Sequence, residues 1–206
     1  MCGIVGFHDK KRTLETGKKL VRQMADTLSH RGPDQYGYWA NENQGLYFGH
    51  RRLSIIDLSN AGNQPIASND GRNAFVFNGE MYNHLEIKKE LVAEFQINFI
   101  GNSDSEVLYH CLVEWGLEKT LLKVRGMFAF CFYSLKEKKL YLARDRIGEK
   151  PLYYGSFGNF WGFASELKAL TNHPDFQKTL NKKALHSYFK FGYIIYLNYV
   201  PRLNSV

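Results

Sequence analysis

The chain has 206 residues, 44% of them hydrophobic and 15% aromatic, with a formal net charge of +7. That length fits one domain, and that apolar content fills a core and excludes a disordered chain; no apolar run is long enough to span a bilayer. The charge does not point to nucleic acid, because the Lys-Lys pairs at 10–11, 18–19, 88–89, 138–139 and 182–183 are scattered and no aromatic–basic ribonucleoprotein motif or zinc-finger spacing occurs.

The chain opens MCGIVGF, and residues 3–8 read as a short strand whose first residue could simply be Cys2. Removal of Met1 is expected before a small residue, and Cys2 would then carry both a thiol and a free α-amine, the amine with an ordinary pKa of about 7.7–8.0. Nucleophile and base would share one residue. The run HDKKR, His8 to Arg12, leaves no room for the apolar region of a signal peptide. Cys2, Cys111 and Cys131 are odd in number and far apart, which argues against a disulfide framework or zinc site and for a reducing cytoplasm.

An amphipathic helix follows, with Leu20, Val21, Met24 and Leu28 on one stripe. It stops at HRGPD, His30 to Asp34, where Gly32 and Pro33 break a helix by themselves. Strands are expected at 36–41, 46–53 and 74–78. In HRRLSIID, His50 to Asp57, two arginines sit against an apolar run; each could be solvated, yet a planar guanidinium also grips carboxylates well. In FNGEMYN, Asn78-Gly79 follows an apolar strand. That pair reads either as a turn or as a side-chain amide and a backbone N–H offered together, the geometry of an oxyanion hole.

Ile87, Leu91, Val92 and Phe95 form a second helical stripe, and Val107, Leu108, Cys111, Leu112 and Trp115 a third. Ser103 and Glu106 stand in the relation of a capping box, which puts Asp104 in the first turn and Cys111 on the buried face. From 127 to 165 the period becomes two. Phe128, Phe130 and Phe132 share one face and Ala129, Cys131 and Tyr133 the other, with KEKK at 136–139 as a polar hairpin connection. Apolar residues on both faces call for cover on both sides of each sheet, an α+β layered sandwich. Helical character returns at 182–192.

The ordered motifs MCGIVG, HRGPD, RLSIID, NGEMYN, SDSEV, GMFAF, RDRIGEKPLYY and FASELKAL together resemble the class II glutamine amidotransferase domain, most of all the N-terminal half of glutamine-hydrolysing asparagine synthetases. The resemblance runs over residues 1–190 and implies an N-terminal-nucleophile hydrolase fold: a four-layer αββα sandwich with two stacked antiparallel sheets. It implies a glutaminase that hydrolyses L-glutamine to glutamate and ammonia through a Cys2 thioester. The alternatives are an amidotransferase feeding a different acceptor and a non-catalytic, truncated glutamine-binding remnant.

Carried over by position, the resemblance makes Cys2 the nucleophile, and Asn78 and Gly79 the oxyanion donors. Arg52, and not Arg51, meets the glutamine carboxylate. Asp104, helped by Glu80, meets the ammonium, and backbone groups of Leu53 and Ile55 complete the pocket. Arg51 is then a solvated surface residue, and His30 and His50 are structural. No metal or cofactor is expected for this half-reaction. ATP and Mg2+ are expected only in a synthetase domain or subunit that amidates aspartate, whose phosphate loop has no counterpart here. Residues 191–206 are expected to start the linker to that partner, with Tyr193, Ile194, Ile195 and Tyr196 lacking cover. No nucleic acid or membrane partner is expected, and a homodimer is compatible with the resemblance.

Overall fold

A computed structural model of the chain describes residues 1–192. The strands are β1 (Gly3–His8), β2 (Gln35–Asn41), β3 (Leu46–Arg52), β4 (Ile66–Ala67), β5 (Asn73–Met81), β6 (Gly126–Ser134), β7 (Lys139–Arg144), β8 (Tyr153–Phe157) and β9 (Phe160–Ala164). The helices are α1 (Leu14–Asp26), α2 (His84–Phe95), α3 (Asp104–Glu114), α4 (Gly116–Lys123), α5 (Leu167–Leu170) and α6 (Lys182–Phe191).

Period-two sequence becomes two antiparallel sheets, ordered β2-β3-β1-β9-β8 and β4-β5-β6-β7. Because successive side chains alternate between faces, each strand feeds two cores. Ile4, Phe48, Val76, Cys131 and Phe163 point between the sheets and form the central apolar layer. Val5, Phe7 and Tyr47, on the other face of the first sheet, receive Leu20, Val21 and Met24 of α1, Leu28 just past its end, and the short α5. Phe75, Phe77, Phe128 and Phe130, on the outer face of the second sheet, receive Ile87 and Leu91 of α2 and Val107, Leu108 and Cys111 of α3. The layers therefore run helix, sheet, sheet, helix, as the patterning demanded. Each fully buried Phe adds about 2 kcal/mol of apolar transfer.

Several elements differ from the sequence reading. β5 continues through Asn78-Gly79 to Met81, so this pair lies inside a strand and is no turn. The neighbouring β6 supplies ladder partners as far as Gly126, and this pairing overrides the local turn preference. The two-residue β4 and the helix α4, which opens on Gly116, carry too little periodicity to announce themselves. Ser103 caps α3 by accepting from the Glu106 N–H at 3.3 Å, but the Glu106 carboxylate turns back to the N–H groups of Ile100 and Gly101 at 2.7 and 2.9 Å. The segment from 193 onward, with Tyr193, Ile194, Ile195 and Tyr196, lies outside the described residues.

Candidate functional site

A cleft opens where the ends of β1, β3 and β5 meet the start of α3. Cys2, Arg52, Leu53, Ile55, Asn78, Gly79, Glu80 and Asp104, each singled out from the sequence, all line it. The antiparallel register does most of this. Gly3 stands opposite Arg51, which carries Cys2 to the level of Arg52 at the end of the neighbouring strand.

The Cys2 thiol is held by one residue of the chain that follows β3. The Leu53 N–H donates to Sγ at 3.5 Å, and the thiol lies 3.7 Å from the Leu53 carbonyl oxygen. Burial pushes the thiol pKa up, against the pull of the Leu53 N–H, the terminal amine and Arg52. The resting group is a thiol, so a base is needed to activate it. The carbonyl of Cys2 accepts from Nε of Arg31 at 3.0 Å, and Arg31 is itself paired with Glu166 at 3.1 Å. The HRGPD stretch is thus more than a helix stop: Arg31 fixes the backbone of residue 2, and Asp34 accepts from the Ser54 N–H at 2.8 Å.

Arg52 is buried and lacks an ion-pair partner among the described residues. Its Nη1 donates to Gln35 Oε1 at 2.5 Å, the Ser59 carbonyl at 2.9 Å and Asn63 Oδ1 at 3.2 Å, and its Nη2 donates to the Asp57 carbonyl. All of these are neutral oxygens. A buried guanidinium without a carboxylate is an unbalanced charge facing the cleft. Gly62 makes the packing around it possible, since a Cβ there would sit 2.1 Å from Nη2.

Along the free edge of β5 the backbone groups follow a rule. Phe128, which stands opposite Gly79, spends its N–H on Asp145 Oδ2 at 3.2 Å and its C=O on the Asp145 N–H at 2.8 Å, away from β5. Gly79 and Phe128 therefore form a non-hydrogen-bonded pair, and the N–H groups of Phe77, Gly79 and Met81 point off the other edge. There β4 begins only at Ile66, opposite Phe75, and gives Phe77, Gly79 and Met81 no ladder partner. The Phe77 N–H finds Gln64 Oε1 at 2.7 Å and the Met81 N–H finds Asp104 Oδ2 at 2.8 Å. The Gly79 N–H, between them, faces the cleft. On the neighbouring residue, Nδ2 of Asn78 is buried without a hydrogen-bond partner. Two donors on adjacent residues thus belong to the same cleft wall as Cys2, the donor types that can stabilise a developing oxyanion.

Asp104 sits in the first turn of α3, where the helix dipole favours a carboxylate. Burial raises its pKa, opposed by the Met81 N–H. Glu80, half-buried, lies on the same wall.

Arg51 departs from the sequence reading. It is not solvated: its side chain turns to the α1 face, pairs with Asp26 and lies over the Tyr36 ring. His30 stands outside the cleft at 2.9 Å from Glu166. His50 is fully buried, its Nε2–H donating to the Phe77 carbonyl at 3.1 Å, and burial pushes its pKa down to about 4. Sequence reasoning missed Gln64, Ser103, Ser105 and Lys150 in the cleft lining, as well as the hold of Arg31 on Cys2. Ser103 and Ser105 were read only as the start of α3, while Gln64, Lys150 and Arg31 have no periodic neighbourhood, and contacts across the fold bring them to the cleft or to Cys2.

Residues 1–200 match the family described as glutamine amidotransferase domain. Asparagine synthetase [glutamine-hydrolyzing] 3 of Bacillus subtilis is 38% identical over 93% of this chain and 31% of its own length. Asparagine synthetase [glutamine-hydrolyzing] 1 of the same organism is 41% identical over 94% of this chain and 30% of its own. The chain thus spans about a third of the length of the curated relatives it matches. Among solved structures, glutamine phosphoribosylpyrophosphate amidotransferase from B. subtilis, complexed with ADP and GMP, superposes with a TM-score of 0.67 at 22% identity, over 82% of this chain and 43% of that one. That likeness speaks for the fold alone.

Proposed function

We propose a function that proceeds from one premise: the chain belongs to the class II glutamine amidotransferase family. On this reading the cleft hydrolyses L-glutamine. Arg52 receives the α-carboxylate, whose charge its neutral partners leave unbalanced, and Asp104 with Glu80 receives the α-ammonium. The side-chain amide then lies toward Cys2.

Once Met1 is removed, the Cys2 α-amine takes the thiol proton as sulfur bonds to the amide carbon, and the carbonyl electrons move onto oxygen. Asn78 Nδ2 and the Gly79 N–H hold that oxyanion. The protonated amine then delivers its proton to the leaving nitrogen, the C–N bond breaks and ammonia departs. Water adds to the γ-glutamyl thioester by the same steps, releasing glutamate and the thiol. The observation that carries the reading is the orphaned Nδ2 of Asn78, a buried donor beside a backbone N–H that points off its strand. A buried donor left unpaired costs about 1–3 kcal/mol, and an oxyanion in the cleft repays it.

The ammonia is for ATP-dependent amidation of aspartate to asparagine by a synthetase domain or subunit, where ATP and Mg2+ act. The names of the asparagine synthetase relatives support that acceptor. No helix among the described residues is long and apolar enough to cross a membrane, in keeping with a cytoplasmic setting.

The test is glutamate release from glutamine by purified protein that begins at Cys2. Cys2→Ala is expected to abolish it, while Cys111→Ala and Cys131→Ala leave kcat within about threefold because both thiols lie in apolar layers. Activity that persists in Cys2→Ala, or in protein retaining Met1, defeats the mechanism. With aspartate, ATP and Mg2+ added, these 206 residues are expected to yield glutamate without asparagine.

A further inference from the structure

At Phe77 a sheet edge is completed by side chains. β4 stops short of this level, yet neither polar group of the Phe77 backbone is left open: Gln64 Oε1 accepts its N–H at 2.7 Å and His50 Nε2–H donates to its carbonyl at 3.1 Å. Gln64 is 6% exposed and His50 is not exposed at all, so both bonds lie in a dry environment where they are strong and costly to lose. They also come from two separate parts of the fold. His50 belongs to β3 in the first sheet, and Gln64 ends the segment that Arg52 ties down through Ser59 and Asn63. Gly37 of β2 lets that segment come close, since a Cβ there would stand 2.0 Å from the Gln64 carbonyl oxygen. The residues after Phe77 are Asn78 and Gly79.

We infer that Gln64 and His50 are positioning residues that clamp the Phe77 peptide, and through it aim the Asn78 amide and the Gly79 N–H at the reacting carbonyl. The inference rests on the glutaminase reading above and deepens it. Gln64, though on the cleft wall, spends its Oε1 on the Phe77 N–H, and His50, which is not in the cleft lining, spends its Nε2–H on the Phe77 carbonyl. Each replaces a missing ladder bond, and without them the edge of β5 is free to shift by the fraction of an ångström over which oxyanion donors lose their hold. Because the segment holding Gln64 hangs on Arg52, the carboxylate site and the oxyanion site share one support.

The test separates aim from folding. Gln64→Met keeps length and apolar packing but removes the acceptor. It is expected to lower kcat by about 10- to 100-fold with the KM for glutamine within about threefold, the pattern of an interaction made in the transition state. Gln64→Glu keeps an acceptor for the Phe77 N–H and is expected to stay within about fivefold of wild type in kcat. A γ-aldehyde analogue of glutamate supplies a second readout. The Cys2 thiol adds to its carbonyl, the S–C bond forming as the oxygen takes the electron pair and then the proton. The affinity of that adduct is expected to fall in Gln64→Met by the same factor as kcat. Hydrogen exchange on the unmutated protein needs no variant to fold: the Phe77 amide is expected to be protected and the Gly79 amide to gain protection only in the aldehyde adduct. Wild-type kcat in Gln64→Met, an equal loss in Gln64→Glu, or a freely exchanging Phe77 amide overturns the clamp. An unmutated protein that starts at Cys2 and releases no glutamate overturns instead the glutaminase reading on which the clamp rests.

Discussion

Arg51 and Arg52 are neighbours in β3 and end on opposite faces of one sheet: Arg51 beside Asp26 of α1, Arg52 in the cleft among neutral oxygens. The alternation of a strand therefore divides their roles. Arg52→Lys loses the planar fork that meets a carboxylate and the loop together, and is expected to raise the KM for glutamine by at least about tenfold. Arg51→Ala is expected to leave KM within about threefold and to cost up to about 1 kcal/mol of stability, as a partly exposed ion pair does. Steady-state kinetics and urea unfolding of both variants check this. Equal KM effects would place the carboxylate elsewhere.

Gly62→Ala probes the same guanidinium from behind. The new methyl would need the space of Nη2, and the hydrogen bonds to Asp57, Ser59 and Asn63 leave Arg52 little freedom to yield. KM is expected to rise in the direction of Arg52→Lys, with kcat less affected. Gly71→Ala is the control. Its φ of +69° makes any side chain strained, but nothing lies within reach of a Cβ, so about 1 kcal/mol of stability goes with no change in KM. A KM unchanged in Gly62→Ala would show that Arg52 does not need its present position.

The strand and helix periods were legible because this fold stacks whole faces: Phe128, Phe130 and Phe132 could be assigned one face before any pairing was known. The residues that line the cleft were reached through the resemblance carried by the ordered motifs, not through periodicity, and the register of β1 against β3, which brings Cys2 level with Arg52, comes from the structure alone. What stayed hidden depends on contacts that sequence spacing does not encode. Asn78-Gly79 carries the dipeptide signature of a turn, and only the length of β6 keeps it extended. Gln64 sits in a loop with no period, and its importance comes from the place where β4 happens to begin. Arg51 looked like a solvated charge because Asp26, its partner, is distant in sequence.

The three thiols differ by environment in a way that alkylation reads directly. Burial pushes Cys111 up to about 12 and Cys131 well above its ordinary value, and both sit in apolar layers. Cys2 is raised as well, but it lies on the cleft wall with an N–H and a cation to support the thiolate. Iodoacetamide at pH 8 is expected to modify Cys2 alone in the folded protein, more slowly than free cysteine, and all three sites in denaturant. Peptide mapping by mass spectrometry gives the result. Labelling of Cys131 without unfolding would mean that the layer between the sheets opens.

Mild acid is expected to destabilise the fold, and two histidines set the window. His50 and His173 are both held down to about 4, chiefly by burial, with Arg52 opposing protonation at the first and Arg12 at the second; Asp9 and Asp175 work the other way on His173. Unfolded histidine titrates near 6.5. Between those values the unfolded chain binds protons that the folded chain refuses. Stability is therefore full above about pH 6.5 and is lost as the pH falls toward 4, by a few kcal/mol for the pair. The carboxylates of Asp57 and Glu166, both near 2, extend the loss to lower pH: hydrogen bonds from Ser59 and Asn102 lower the first, while bonds from His30, Arg31 and Lys168 outweigh burial at the second. Urea unfolding at pH 7.5, 6.5, 5.5 and 4.5 should give a free energy that is level between the first two and falls across the rest. His173→Phe keeps a ring stacked on Phe160, whose centroid lies 3.6 Å from that of His173, and removes one titrating group, so its curve should fall less steeply. A wild-type profile that is flat from pH 6.5 to 4.5 would mean that these rings take up protons inside the fold, and the neutral His50 that donates to the Phe77 carbonyl would have to be given up.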